Sequence, residues 1–177
     1  MNILKMALVA SLTISILFLN ACKKDPAQKI VGAWQEVRVI NPKMDEAIEQ
    51  QRVFADTVGT STDSIENFRI YGTTNIDSFK TQAKADLDSF LKNQYFAIRA
   101  TIFEFKQDGT MYLHSLDGID TAKWAIDDDG ALILNQEGKT EGNKIRMELV
   151  EVSDTLLQLK YKEQYLESTA VFKPAKK

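Results

Sequence analysis

The sequence has few of the side chains from which metal centres and nucleophilic active sites are usually built. It contains one cysteine, Cys22, and one histidine, His114, in 177 residues. One cysteine excludes a disulfide within the chain, and one histidine leaves nothing else for a histidine-based metal site or a Ser-His-Asp triad. We therefore predict a protein that is not an enzyme, with no metal and no cofactor, stabilised by apolar burial.

The sequence also lacks a basic cluster of the size that nucleic acid binding needs. Its 22 lysine and arginine residues are outnumbered by 25 aspartate and glutamate residues, which gives a net charge of −3. Basic side chains gather only at Lys23–Lys24 and in the tail at 173–177. Nucleic acid is therefore not an expected partner. The acidic run Asp127–Asp129 lacks the ligand spacing of a calcium loop, and we predict a solvated turn there.

A membrane-spanning segment is not predicted at the amino terminus. The apolar run Met6–Leu19 is interrupted by three hydroxyl side chains and is shorter than the roughly 20 residues that a spanning helix needs. It follows Lys5 and precedes Ala21 and Cys22. A basic start, a short apolar core and a small residue are the parts of a secretory signal peptide, predicted here for residues 1–21.

The segment Leu19–Cys22 (LNAC) resembles the lipobox of bacterial lipoproteins. The resemblance implies that the Cys22 sulfur receives a diacylglycerol, that the signal is cut before Cys22, and that the new amino terminus gains an acyl chain such as palmitate. Each buried methylene contributes about 0.8 kcal/mol, so two or three chains anchor a protein almost permanently. The alternative is an ordinary signal peptide followed by a free thiol.

Residues 22–28 are polar and contain Pro26, which predicts a short lipidated tether between the membrane and the domain. Lysine followed by Asp25 is similar to the surface-export signal of some Gram-negative lipoproteins. The expected location is the cell envelope, with the lipid in the outer membrane. The domain then lies either in the periplasm or at the cell surface.

Residues 30–40 are rich in β-branched and aromatic side chains and predict the first strand. In a regular strand Trp34 shares a face with Glu36 and Arg38. Either a bulge after Trp34 switches the faces, which we prefer, or Glu36 and Arg38 point into the interior with it. In the second case the two charged side chains could orient the head group of a ligand.

A helical pattern occupies residues 42–98, between the first and second predicted strands. We predict a helix over 42–58, a short helical piece over 65–72, and a strong amphipathic helix that carries an apolar stripe over 76–91. Residues 95–98 fit either the end of that helix or the start of a strand. We expect the insert to lie across an open end or a face of the β domain.

From Thr101 onward the apolar pattern has a period of two, which predicts strands joined by hairpins. At Asp108-Gly109, a two-residue turn would set Phe105 opposite Tyr112. A three-residue loop with left-handed Gly109 would set Phe105 opposite Met111 and keep one face apolar, and we predict this register. Glu104, Lys106, Tyr112 and His114 then lie on the other face.

Eight strands are predicted, seven of them consecutive. The predicted fold class is mainly β, an eight-stranded antiparallel meander over residues 29–177 that closes as a barrel, with the helical insert between strands one and two.

Four segments, taken together and in order, resemble the lipocalin-like domain of small bacterial lipoproteins: Ile30–Trp34, Phe103–Thr110, Lys123–Ile126 and Ser153–Leu156. The resemblance implies that Gly32 and Trp34 close one barrel end. It also implies that a basic residue, here Lys160 or Lys173, covers the tryptophan.

Two functions remain open at this point, and both place the protein at the membrane through the lipid on Cys22. The first is binding of a small apolar or amphipathic ligand inside the barrel. The second is a non-enzymatic interaction or structural role with a filled barrel. An interior void of about 300 Å³ or more would favour the first. The candidate ligand-binding residues are Trp34, Glu36, Arg38, Phe103, Phe105, Trp124 and Tyr161.

Overall fold

The computed structural model of the protein describes residues 26–59, 63–136, 144–163 and 165–176. The predicted signal peptide, Cys22 and the first part of the predicted tether lie outside the described residues. So does the segment 137–142, whose glycines and polar side chains predict a loop between two strands.

The described residues contain eight antiparallel strands that form a closed barrel. Each strand pairs with the next along the chain, and β1 also pairs with β8. This topology confirms the predicted fold class. The strands are β1 (Gly32–Ile40), β2 (Ile102–Phe105), β3 (Thr110–Ser115), β4 (Gly118–Ile126), β5 (Leu132–Gln136), β6 (Lys144–Val152), β7 (Leu157–Glu163) and β8 (Leu166–Pro174).

Four helices accompany the barrel in the described part of the chain. A short one precedes β1, and three form the predicted insert between β1 and β2. They are α1 (Pro26–Ile30), α2 (Pro42–Thr57), α3 (Ser64–Tyr71) and α4 (Ile76–Ala100). Residues 95–98 therefore extend the long helix rather than begin a strand. None of these helices combines the length and the apolar character that crossing a membrane requires.

The β2–β3 hairpin has the predicted register. Phe105 pairs with Met111 and Phe103 with Leu113, and Gly109 has a φ of 78°, in the left-handed region that favours glycine. The backbone nitrogen of Lys106 donates to the carbonyl of Thr110 at 2.8 Å and closes the loop. The hairpin thus keeps its apolar side chains on one face, toward the barrel interior.

The barrel interior is a continuous cluster of buried apolar side chains. Strand alternation directs them inward, and partly buried side chains such as Leu113, Leu149 and Tyr161 pack against their edge. The buried members are Ile30, Trp34, Phe103, Phe105, Met111, Ala122, Leu132, Leu134, Met147, Leu157, Leu159, Ala170 and Phe172.

One barrel end is closed by α1. This helix comes immediately before β1 but contacts β4 and β6 on other parts of the wall, so it crosses the end of the barrel. Its last residue, Ile30, is completely buried, and its carbonyl accepts a hydrogen bond of 2.7 Å from Trp34 Nε1. Pro26–Gln28, predicted as tether, are thus part of the helix that closes this end.

The basic residues that the lipocalin resemblance placed over Trp34 lie elsewhere. Lys160 forms ion pairs with Glu148 and Glu167, at 3.9 and 3.0 Å, and Lys173 is exposed. Strand parity explains the difference, because Lys160 and Lys173 alternate with buried Leu159 and Phe172 and therefore face outward. Ile30, not a basic side chain, provides the hydrogen-bonding partner of the tryptophan.

The helical insert joins the barrel through its two ends. Asn41 accepts from the backbone nitrogen of Met44 at 3.0 Å as the N-cap of α2, and its Nδ2 donates to Ser168 Oγ at 2.9 Å. At the other end, α4 contacts β1 and β3, and Gln35 Nε2 donates to the carbonyl of Arg99 at 2.6 Å. Between these ends α2 packs against α4.

The far end of the insert is held together by three aromatic rings. Phe54, Tyr71 and Phe79, one from each helix, have ring centroids 6.0 to 6.4 Å apart. Next to them Gly59 has a φ of 67°, and a Cβ at this position would overlap the Ile76 side chain. The close approach of α2 to the start of α4 therefore requires glycine.

We expect Gly59→Ala to lower the free energy of unfolding by about 1–3 kcal/mol, because the new methyl group overlaps Ile76 and the backbone conformation is strained. Urea denaturation measures the loss. Gly72→Ala is the matched control, since Gly72 has a φ of 71° with open space around its Cα. Equal losses in the two variants would contradict the overlap with Ile76.

Candidate binding sites in the barrel and the helix pair

The predicted bulge in β1 is present, but it lies two residues later than expected. The pairing with β8 shifts between Glu36 and Arg38. Trp34 and Glu36 are therefore both buried, whereas Arg38 is exposed on the outside. The bulge separates the charged pair that the sequence suggested for a ligand head group, because the two side chains lie on opposite sides of the wall.

Glu36 is the one acidic or basic side chain among the buried residues that the structure describes. It is 8% exposed. Loss of hydration raises its pKa from the ordinary value of 4.5 to about 7, and a hydrogen bond with the Thr101 side chain acts in the opposite direction. Near neutral pH, Glu36 is thus divided between its neutral and charged forms.

The aromatic candidates pack mainly on one another. Phe103 lies 6.0 Å from Phe105 and 5.0 Å from Phe172 between ring centroids, and Phe105 contacts Trp124 edge-on at 5.5 Å. Trp124 is half-buried, and its Nε1 donates to the carbonyl of Lys106 at 3.0 Å. Tyr161 is also half-buried against the core. Phe103 and Phe105 therefore belong to the packed interior, whereas Trp124 also lines a pocket of about 630 Å³ next to α1.

A small cavity remains inside the barrel wall. Its volume is about 120 Å³, and its lining includes Phe103, Met111, Leu113, Ile145 and Met147. Small-molecule sites usually measure about 300–1,000 Å³. Of the predicted ligand-binding residues, only Phe103 lines this cavity in the described part of the chain. The cavity falls short of the volume that would favour a ligand inside the barrel.

His114 lies beside an ion pair on the outer face of β2 and β3. Its Nε2 is 3.6 Å from Glu104, whose carboxylate also bonds the Lys106 ammonium. The hydrogen bond from Lys106 is the largest cause that lowers the pKa of Glu104. No group of three or more histidine, cysteine or acidic residues within the described ranges could hold a metal ion.

Asp127 organises the turn between β4 and β5. Its carboxylate accepts from the backbone nitrogens of Asp129 and Ala131, at 3.0 and 2.8 Å, and from Arg146 Nε at 3.1 Å. The bond from Ala131 is the first cause of a lowered pKa. The carboxylate is therefore used within the turn, as predicted for this acidic run.

A larger concave surface lies between α2 and α4, and we call it the α2–α4 groove. Its volume is about 470 Å³. An apolar stripe such as that of α4 usually belongs to a core, so the sequence alone did not identify this site. The groove is lined by Met44, Ala47, Ile48 and Gln51 from α2, and by Phe79, Gln82, Ala83, Asp86, Leu87 and Phe90 from α4.

The exposure of apolar side chains on the two helices is consistent with a binding surface at the groove. The apolar stripes of the two helices are wider than the surfaces that they bury against each other. Met44 and Phe90 remain 41% and 39% exposed, and no residue of α4 is fully buried. An amphipathic helix that covers a core normally buries part of its stripe completely.

No family model matches the chain, and no curated protein sequence matches it. Among solved structures, the chain is similar to the crystal structure of a DUF4847 family protein from Bacteroides vulgatus ATCC 8482, with a TM-score of 0.40 and 15% sequence identity. That comparison covers 82% of this chain and 94% of the other chain.

Proposed function

We propose that this chain is a lipid-anchored protein of the cell envelope whose barrel is a filled support and not a container for a ligand. The observation that supports a filled barrel is the interior itself, where packed aromatic and aliphatic side chains leave about 120 Å³. The resemblance of Leu19–Cys22 to a lipobox supports the anchor. The role is a non-enzymatic one, in the outer membrane, facing the periplasm or the cell surface.

The position of α1 supports a defined orientation on the membrane. Pro26, its first residue, follows Cys22 by four residues, a distance of at most about 15 Å between Cα atoms. Because α1 closes the barrel end at Trp34, a lipid on Cys22 holds that end next to the bilayer. The opposite end, where Ile40 leads into α2, then faces away from it.

Cys22→Ala is the test of the anchor. We expect the wild-type protein to incorporate labelled palmitate and to sediment with membranes, and the variant to do neither, because the thioether that carries the lipid cannot form. Fractionation and mass spectrometry of the amino terminus measure both effects. A variant that stays firmly in the membrane fraction would refute the anchor, provided that circular dichroism shows a folded barrel.

A further inference from the structure

We propose that the α2–α4 groove binds a single-chain amphiphile whose head group is neutral or positively charged. The groove shares no lining residue with the barrel cavity in the described part of the chain. Four properties of the groove support this ligand class: its size, its apolar lining, its position on one side of the helix pair, and its charge.

The size of the groove fits a small elongated ligand. Its volume of about 470 Å³ lies within the range of small-molecule sites. At about 30 Å³ for a group the size of water, it holds roughly fifteen such groups, enough for one alkyl chain and a small head. The α4 side runs from Phe79 to Phe90, about 16 Å at 1.5 Å per residue.

The lining is apolar along most of this length. Phe79, Ala83 and Leu87 are half-buried at the base, and Met44 and Phe90 are more exposed. An alkyl chain laid along them removes apolar surface from water on both partners. Such burial favours a hydrocarbon chain over a polar ligand.

The other side of the same helix pair is charged. Arg52, Asp56, Lys84 and Asp88 lie there, and Lys84 Nζ is 2.6 Å from Asp56 Oδ1. The side of the helix pair that carries the groove is therefore apolar, and this side is charged. Val53 and Phe54 of α2 are exposed as well, but they lie outside the groove lining.

The polar groups of the groove select the head group. Gln51, Gln82 and Asp86 are the polar lining residues, and Gln82 Nε2 donates to Asp86 Oδ1 at 2.7 Å. Asp86 is the charged residue among the described lining residues, and neither lysine nor arginine is among them. A carboxylate or phosphate head would lie beside a like charge, whereas an ammonium or hydroxyl head complements it.

Binding is tested on residues 22–177 with Cys22→Ala, prepared without detergent so that nothing competes for the groove. The probes are dodecyltrimethylammonium, dodecanol and dodecanoate, each kept below its aggregation concentration. We expect calorimetry to show binding of the first two probes. Dodecanoate is expected to bind about fivefold more weakly, because its carboxylate lies beside one exposed like charge, that of Asp86. Methyl resonances of Met44, Ile48 and Leu87 are expected to shift on binding.

Two pairs of matched variants locate the site. Ala47→Phe places a ring in the groove and is expected to weaken binding at least tenfold, whereas Ala85→Phe, at an exposed position of α4 outside the lining, leaves it unchanged. Asp86→Asn is expected to remove the discrimination against dodecanoate. Asp88→Asn, on the charged side, keeps it.

Several results would overturn the assignment. These are the absence of binding by all three probes, equal weakening by both phenylalanine variants, and shifts at Leu113 and Ile145 of the barrel cavity instead of the groove methyls. A concentration-dependent dimer that Ala47→Phe abolishes, without amphiphile binding, would show that a second copy covers the groove. The methyl shifts are measured on the protein without the Ala47→Phe substitution. They therefore show whether the probes bind in the groove even where Ala47→Phe does not fold.

Discussion

Replacing Trp34 with alanine is expected to lower the free energy of unfolding by about 3–5 kcal/mol, the range measured for buried aromatic residues that are truncated. Trp34 is 4% exposed and lies in the core cluster. Its indole also donates to the carbonyl of Ile30, so the variant loses the bond that holds α1 across the barrel end. Chemical denaturation followed by circular dichroism measures the change.

Two further variants separate packing from closure of the barrel end. Trp34→Phe keeps an aromatic ring but removes the donor to the Ile30 carbonyl. We therefore expect a smaller decrease in the free energy of unfolding than for Trp34→Ala, caused mainly by the lost hydrogen bond. Trp124→Ala is the control at the other tryptophan, which is half-buried, and it should cost less than Trp34→Ala. Equal losses at Trp34 and Trp124, or a retained stability in Trp34→Ala, would mean that Trp34 is peripheral.

The strands after Thr101 could be predicted because their order depends on local information. Phe103, Phe105, Met111 and Leu113 alternate with polar side chains, and Gly109 allows the one loop that keeps them on the same face. Each hairpin adds one strand beside the previous one, so a consecutive set of hairpins with one apolar face curls and closes. β1 then pairs with β8, because closing the sheet into a barrel buries the apolar face of every strand.

The details that sequence reasoning missed depend on contacts between distant residues. The bulge lies after Glu36 because the β1 pairing with β8 shifts there, and the Glu36 backbone nitrogen donates to the carbonyl of Thr101 at 3.0 Å. No local pattern around Trp34 contains that partner. Likewise, Pro26–Gln28 have the polarity of a tether, and only the packing of α1 against distant strands, with Ile30 buried, makes them part of a closing helix.

The candidate sites were harder to predict than the fold for a similar reason. Strand alternation identifies Phe103 and Phe105 as inward, but not whether inward rings fill the barrel or line a void. That outcome depends on how Phe172 and Trp124 pack against them. The groove depends on the angle and spacing of α2 and α4, which the amphipathic stripe of either helix alone does not determine.

Glu36→Gln is expected to make the protein more stable above pH 7, by up to about 3 kcal/mol. The raised pKa of Glu36, about 7 against an ordinary 4.5, means that the folded state keeps a proton that the unfolded chain has released across this interval. The Glu36 contribution to stability is therefore complete below pH 4.5, falls as pH rises, and is lost above pH 7. This difference of about 2.5 in the pKa of Glu36 corresponds to about 3 kcal/mol in the free energy of unfolding.

Glutamine removes this dependence because its amide stays neutral at every pH in the range. The hydrogen bond with the Thr101 side chain lowers the pKa of Glu36, so Thr101 is its donor, and the amide oxygen of glutamine at position 36 can accept the same bond. Wild type and variant should then have similar stability near pH 4 and diverge as pH rises. Urea denaturation at pH 4, 5, 6, 7 and 8 measures the difference.

The free energies of unfolding of wild type and Glu36→Gln must be compared at each pH, because the pH profile of either protein alone also contains other titrating groups. Other carboxylates also have lowered pKa values, such as exposed Asp108, chiefly through a backbone hydrogen bond from Thr110, and half-buried Asp127, chiefly through one from Ala131. They titrate in both proteins and cancel in the difference. Glu49→Gln, at an exposed position of α2, is the matched control for the loss of one carboxylate. A constant difference between Glu36→Gln and wild type from pH 4 to pH 8 would show that Glu36 titrates normally. The carboxyl would then have access to water that the structure does not give it, and β1 would open at the bulge, where Glu36 and Arg38 lie on opposite sides of the wall.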